Sequence, residues 1–529
     1  MAHAIRLVAE RRPDAVALRD ESGACTWAEL DRRANRLIHA FRAAGLRAGD
    51  TVAMYAGNGR ATTEFMVAAH HVGLRYVPVN WHFTADELAH VLRDATPKAL
   101  FTDGEHVGTV ARALAQVPEA ADALRVCAAA PGHGEGTPPE GFVDLERLIA
   151  AQPDGDDEPA DQCVGGPMFY TSGTTGRPKG VSKPGIGRGA IEALPAASER
   201  TTRMFGLPTD GTTLLAGPYY HSAQWAFSFP MLLAGVALVT TRRFDAAGTL
   251  ALIDRHRVTH VHLVPTQFVR LLRLDAATRA AFRGDSLVRV WHGAAPCPPQ
   301  VKRDMIAWWG PCIHEYYGST EGAVVSGISS QEWLERPTSV GRAVFTADVV
   351  VLRDDGTEAP VGEQGTIYLR SRVGAAPRYH GDPTKTAAAY HATDATLFTT
   401  GDVGRLDADG YLYLTDRKID MIISGGVNIY PAEIEAALAA HPAVQDVAVI
   451  GVPNAEYGEE VKAIVQPAAG RAGDDALAAA LVAHCRATLA GYKVPRSVEF
   501  RDDFPRTETG KLQKRLLREP YWTGVDRRI

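Results

Sequence analysis

Cysteine is sparse in this chain and carries no pattern. Cys25, Cys127, Cys163, Cys297, Cys312 and Cys485 are scattered without a C-x-x-C pair, which argues against a zinc site and a disulfide framework and points to a reducing cytosol. Long hydrophobic runs are missing too. The longest, Met231 to Val239, falls far short of the roughly 20 residues that cross a bilayer, so no membrane span is expected, and the opening MAHAIRLVAERRPDAV lacks the apolar core of a signal peptide. Nor is there an excess of cations: the formal net charge is −6, and without a large basic field nucleic acid is not expected as a partner. No repeat of solenoid period is visible. What remains is an ordinary globular composition, 46% apolar and 22% charged over 529 residues. That length exceeds what one core serves, so at least two domains are expected.

The most informative stretch is YTSGTTGRPKGV, Tyr170 to Val181. Gly173, Gly176 and Gly180 can expose backbone N–H groups without a Cβ in the way. Thr171, Ser172, Thr174 and Thr175 add hydroxyls, and Arg177 and Lys179 add charge, so the run suits a polyphosphate. It is not a Walker loop, because Pro178 stands where that motif needs its second glycine. A Gly/Thr-rich surface turn would have a similar composition, so other segments must decide.

Four do. Tyr317 to Glu321 (YGSTE), Thr400 to Asp402 (TGD), Asp416-Arg417 followed by ISGGVNIYP from Ile423, and PRTETGK from Pro505 to Lys511 succeed the loop in order. With it they resemble the adenylate-forming superfamily of acyl-CoA synthetases, luciferases and peptide-synthetase adenylation domains, over nearly the full length. HGAAPCPP and EYYGSTEG are most similar to bacterial acyl-CoA synthetases of the fatty-acid or bile-acid-ligase kind.

Along the chain, short apolar runs alternate with helical patterns. Thr26 to Ala44 reads as a helix with a Thr26/Glu29 capping box, Thr51 to Ala56 as a strand, Ala61 to Val72 as a helix and Arg75 to Val79 as a strand. Thr84 to Leu92 opens another helix, with Thr84 and Glu87 at its start. Such alternation predicts an α/β fold with parallel sheets covered on both faces. Val258 to Leu263 and Leu287 to Trp291 read as buried strands, Ala347 to Leu352 and Gly365 to Arg370 as a smaller β-rich layer. Pro131 to Glu140 and Pro153 to Asp161 read as solvated loops. After Asp416 a compact α+β unit is expected: helix Pro431 to Ala440, strands Val444 to Val452 and Val461 to Gln466, helix Asp474 to Leu489. The resemblance implies a large N-terminal domain of stacked parallel and mixed sheets, residues 1–416, and a small mobile C-terminal domain, residues 417–529.

It also implies roles. Activating a carboxylate by attack on the α-phosphorus of ATP requires neutralised phosphate charge and Mg2+. Glu321, with Thr171, would hold the metal, Thr320 would bond the α-phosphate, and Thr171 to Lys179, with Ser172, Gly173, Thr174, Thr175 and Gly176 between, would cover the β- and γ-phosphates. Tyr316, Tyr317, Gly318 and Ser319 belong to the nucleotide-binding segment. Tyr317 would stack on adenine opposite Gly293-Ala294-Ala295, and Asp402 and Arg417 would clamp the ribose. Lys511, in its TGK turn, would serve adenylation. Gly425-Gly426 would line the pantetheine path when coenzyme A attacks the acyl-adenylate after rotation near Asp416-Arg417. The usual hinge residue is replaced by Ile419.

An α-amino acid is disfavoured as substrate, because His221 stands where peptide-synthetase domains place an aspartate. His221 is read either as a gate near the carboxylate or as a packed histidine. Tyr219, Tyr220 and Trp225, with Phe227 and Phe229, suit a hydrophobic acyl tail or ring. The expected partners are thus a small carboxylic acid and either coenzyme A or an acyl carrier protein, in the cytoplasm, with room left for a homodimer. A last motif, Gly185 to Ala190 (GIGRGA), satisfies G-x-G-x-x-A but follows Ser182-Lys183-Pro184 instead of a clean strand, which disfavours a dinucleotide site.

Overall fold

A computed structural model describes residues 2–129, 138–153, 162–171, 178–182, 186–187, 189–344, 347–372, 377–417, 420–424, 427–454, 457–506 and 512–523, with the backbone alone at 416, 417 and 428. Most of both acidic, Pro-rich connectors expected as loops lie outside these residues.

Two sheets dominate the first four hundred residues. Six strands hydrogen-bond in the order Val143–Asp144, Leu124–Ala128, Ala99–Asp103, Thr51–Tyr55, Arg75–Pro78, Gly166–Pro167, all parallel. Side chains alternate across this sheet. Val52 and Met54 enter the core shared with helices Trp27–Ala43 and Arg60–His71, whereas Ala53 and Tyr55 pack under helix Ala85–Ala95. A strand buried on both faces has no solvent side, so its sequence is continuously apolar.

The second sheet has fourteen strands. Its parallel half runs Val16–Asp20, Ala237–Thr240, Thr212–Leu215, His260–Leu263, Arg289–His292, Ile313–Ser319. The register lines up Val239, Leu214, Val261, Val290 and Ile313 in one row beneath the outer helices. On the inner side, Ala17, Leu18, Leu215 and Leu238 join Val52, Met54 and Phe101 of the first sheet in a single core. The stacked sheets expected from the sequence are present.

The helix starts also agree. Thr26 and Glu29 form a reciprocal capping box at Trp27–Ala43, and Thr84 and Glu87 form another at Ala85–Ala95, each cap worth about 1 kcal/mol. The β-rich segment is joined to the large sheet where a smaller layer was expected. From Ile313–Ser319 onward the sheet turns antiparallel through Ala323–Ser329, Ser339–Ala343, Tyr411–Arg417, Asp402–Leu406, Gly365–Ser371 and Ala347–Leu352. The site strands Ile313–Ser319 and Asp402–Leu406 thereby belong to one hydrogen-bonded surface.

The C-terminal unit is α+β. Its sheet runs Val427–Ile429, Ile422–Ser424, Gly458–Pro467, Val444–Asn454, with Ser497–Phe500 parallel to Gly458–Pro467. Val447 and Val449 face helices Pro431–Ala439 and Asp475–Thr488, while Ala448 and Ile450 pack on Leu517 of helix Lys514–Trp522. In the GIGRGA segment, Gly189–Ala190 forms a two-residue strand against Cys163–Val164, and the Gly187 N–H donates to the Val164 carbonyl at 2.9 Å. No helix among the described residues is long and apolar enough to cross a membrane.

Candidate active site

The segments that flank the expected phosphate loop form a hairpin. Phe169–Thr171 pairs antiparallel with Lys179–Ser182, which sets Thr171 opposite Lys179; Ser172, Gly173, Thr174, Thr175 and Gly176 lie outside the described residues. Lys179–Ser182 pairs on its other edge with Arg378–Tyr379, Val181 across from Tyr379. Lys179 Nζ is 2.7 Å from Asp382 Oδ2, and the Tyr379 hydroxyl donates to Glu321 Oε1 at 3.0 Å. A cleft of about 390 Å³ opens beside this hairpin, lined in part by His90, Lys179, His380 and Asp382.

Glu321 follows the last residues of strand Ile313–Ser319, where Ser319 Oγ accepts the Gly322 N–H at 2.8 Å and so fixes the turn. Thr320 Oγ1 is 3.0 Å from Ser222 Oγ. Ser222 opens the short helix after His221, and the His221 ring lies 4.6 Å from that of Tyr220. Thr320 and His221 therefore share one corner of the site.

The residues expected to clamp the ribose converge as well. The Tyr317 hydroxyl donates to Asp402 Oδ2 at 2.6 Å, and Thr400 Oγ1 donates to the same oxygen at 2.6 Å. Strand register places Arg417 across from Asp402; its side chain lies outside the description. Gly318 follows Tyr317 in the same strand. Gly293, Ala294 and Ala295 leave the end of the neighbouring strand Arg289–His292, with Ala294 in the left-handed region at φ +66°. A Cβ on Gly293 would sit 2.5 Å from Tyr316 Cε1, so this wall must be glycine for the strands to close. Tyr316 is buried, packed with Phe227 and Trp291.

Behind Tyr316 lies a polar chain that the sequence did not announce. Gln224 Nε2 donates to His262 Nδ1 at 2.9 Å, which leaves His262 Nε2 to donate to the Tyr316 hydroxyl at 3.0 Å. Burial pushes His262 down to about 3, so the folded protein keeps it neutral while the unfolded chain takes up a proton below about 6.5. Stability is thus full above that value and falls with pH between about 6.5 and 3, at about 1.4 kcal/mol per pH unit. Denaturant titrations from pH 7 to 5 are expected to show a shallower fall for His262→Gln than for the parent chain. Parallel curves would refute the assignment.

The aromatic segment is mostly core. Tyr219 and Phe229 belong to the core between the sheets, with the Tyr219 hydroxyl 3.3 Å from Thr63 Oγ1. Trp225 is half-buried; its indole N–H donates to the Tyr76 hydroxyl at 3.1 Å and its ring stacks on Phe229 at 5.7 Å. Tyr220 packs edge-on to Trp81 at 6.2 Å. Lys511, Gly425, Gly426 and Ile419 lie outside the described residues.

Residues 5–380 match the AMP-binding enzyme family and residues 433–511 the AMP-binding enzyme C-terminal domain. The chain belongs to the AMP-binding enzyme family. It is 36% identical over 519 residues to a feruloyl-CoA synthase of Amycolatopsis, covering 97% of each chain. It is 32% identical over 510 residues to a long-chain-fatty-acid–CoA ligase of Mycobacterium tuberculosis, covering 94% of each. Among solved structures it resembles the amide bond synthetase of Marinactinospora thermotolerans, with a TM-score of 0.81 and 28% identity over 98% of this chain and 99% of that one.

For an AMP-binding enzyme the donor set suits magnesium. Mg2+ keeps most of its water and takes one or two carboxylates plus substrate phosphates, and Glu321 offers a hard carboxylate beside the phosphate hairpin, with one oxygen already oriented by Tyr379. Ser222, Tyr379, Asp382 and Lys385, whose ammonium lies 4.0 Å over the Tyr379 ring, are site neighbours that sequence reasoning missed. Only one signal marked them: Asp382-Pro383 opens the helix Pro383–Ala388 as N-cap and first residue.

Proposed function

We propose that this AMP-binding enzyme activates a hydrophobic carboxylic acid. A carboxylate oxygen attacks the α-phosphorus of ATP, pyrophosphate leaves, and the acyl-adenylate then passes its acyl group to the thiol of coenzyme A, releasing AMP. The observation that supports this most is the meeting of Tyr317 with Asp402, Ser222 with Thr320, and Tyr379 with Glu321 around the loop hairpin. In this reading Asp402 holds the ribose, Thr320 the α-phosphate, and Glu321 the magnesium that offsets phosphate charge. Tyr220 and Trp225 would border the acyl group, with Tyr219 packed in the core behind them and His221 at its carboxylate. Residues 417–529 would rotate to present Lys511 for adenylation and Gly425-Gly426 for pantetheine. None of the six cysteines is joined to another in a disulfide, which suits a reducing cytosol.

The aromatic and aliphatic acids named by two relatives favour an apolar acid. The test is acid-dependent ATP–pyrophosphate exchange, followed by CoA-dependent AMP release over aliphatic, aromatic and polycyclic acids. Release of ADP and orthophosphate would overturn the proposal. The likeness to an amide bond synthetase supports a second reading, in which an amine replaces the thiol. AMP release that depends on an amine or a carrier protein, and not on CoA, would select that alternative. Asp402→Ala deletes an acceptor for two ribose hydroxyls and is expected to raise the KM for ATP at least about tenfold, with the KM for the acid little changed.

A further inference from the structure

Two cations meet at the base of the phosphate loop, and the ion pairing there accounts for one. Lys179 Nζ pairs with Asp382 Oδ2 at 2.7 Å. The other oxygen of Asp382 accepts the backbone N–H of Lys385 at 2.8 Å, so a single carboxylate ties the loop hairpin to the residue carrying the second cation. Lys385 Nζ lies 4.0 Å over the Tyr379 ring, and that ring's hydroxyl holds Glu321. Among the described residues no carboxylate pairs directly with Lys385 Nζ. Partial burial and the like charge of Lys179 hold this ammonium below the ordinary lysine range, while Glu321 and Asp382 act the other way.

We propose that Lys385 is a second phosphate-binding cation, which contacts the β- and γ-phosphates of ATP and the departing pyrophosphate alongside Lys179. Among the described residues Asp382 is the one carboxylate in direct ion contact with either of these two ammonium groups, and Glu321, the other nearby carboxylate, is the one assigned to magnesium, so Lys385 Nζ is left to take a further anionic partner. A polyphosphate entering between the two ammonium groups supplies that partner. Tyr379 serves both sides: its face steadies the ammonium, and its hydroxyl steadies the carboxylate assigned to magnesium. A magnesium–pyrophosphate unit would meet both groups at once.

The inference rests on the proposed placement of ATP at this hairpin, and the experiment separates the two. Magnesium pyrophosphate is titrated calorimetrically into the full-length protein and its variants. Lys385→Met and Lys385→Gln are each expected to weaken binding about tenfold, the loss of one charge-assisted contact, and to raise the KM for ATP similarly. Lys385→Arg keeps the charge and is expected to stay within about threefold of the parent. Transfer from preformed acyl-adenylate to CoA involves no pyrophosphate and is expected to be unchanged. Pyrophosphate affinity within about twofold of the parent in both neutral variants, no pyrophosphate binding by the parent, or equal loss in both half-reactions would overturn the inference. Lys385-dependent pyrophosphate binding without acid-dependent exchange would uphold it and reject the proposed function instead.

Discussion

Lys511→Ala is expected to lower acid-dependent ATP–pyrophosphate exchange by about 10²- to 10³-fold, the cost of losing one preorganised donor aimed at developing charge. Transfer from preformed acyl-adenylate to CoA is expected to be nearly unchanged. In the proposed reaction negative charge accumulates on the α-phosphate oxygens as the carboxylate attacks, and the Lys511 ammonium would offset it. The ends of the segment are well held. Arg506 bridges to Leu512, the Gln513 N–H donates to the Pro505 carbonyl at 2.8 Å, and Arg506 pairs with Asp446 at 2.6 Å. Lys514 is the internal control: it pairs with Glu435 at 2.8 Å, and Lys514→Ala is expected to leave exchange largely intact. Equal loss of adenylation and thioester formation in Lys511→Ala would count against its role.

What could be read from the sequence was mostly local. Thr26 with Glu29 and Thr84 with Glu87 announce helix starts because a capping box is complete within four residues. The strand at Thr51 is equally visible, since burial on both faces leaves a continuous apolar run. The joining of the β-rich segment to the large sheet was not legible, because it depends on pairing between Ser339–Ala343 and Tyr411–Arg417, about seventy residues apart by the register of strand partners. The site follows the same division. Tyr317 and Asp402, also far apart in sequence, were joined only through family resemblance, and the 2.6 Å hydrogen bond between them fits that expectation. Lys385 and Tyr379 carry no local sign, since a lysine in a helix start is ordinarily a solvated cation. His262 was hidden for a similar reason: within the apolar run VHLV, its partners Gln224 and Tyr316 come from other strands and helices.

Lys302 is the clearest case of a charge whose burial the sequence conceals, and its loss is expected to be strongly destabilising. In PQVKRDMIAWW it sits among Arg303 and Asp304 and looks solvated. In the fold it is fully buried on helix Pro299–Trp309, 2.6 Å from Glu315 Oε2 and 4.5 Å from the centre of the Trp333 ring. Burial lowers the Lys302 pKa and raises that of Glu315, each partner opposing the shift in the other. Removing one partner leaves a buried charge uncompensated, so Lys302→Met is expected to cost about 3–5 kcal/mol, whereas replacing both by apolar groups is often nearly neutral. Denaturant unfolding of Lys302→Met, Glu315→Leu and the double variant tests this, with the double variant expected to recover most of the loss. Additive losses would show that packing, and not the pair, sets the cost. Because Glu315 directly precedes Tyr316 and Tyr317 on the site strand, the single variant should also raise the KM for ATP. The double variant, with its strand held by apolar contact, should restore it in step with stability.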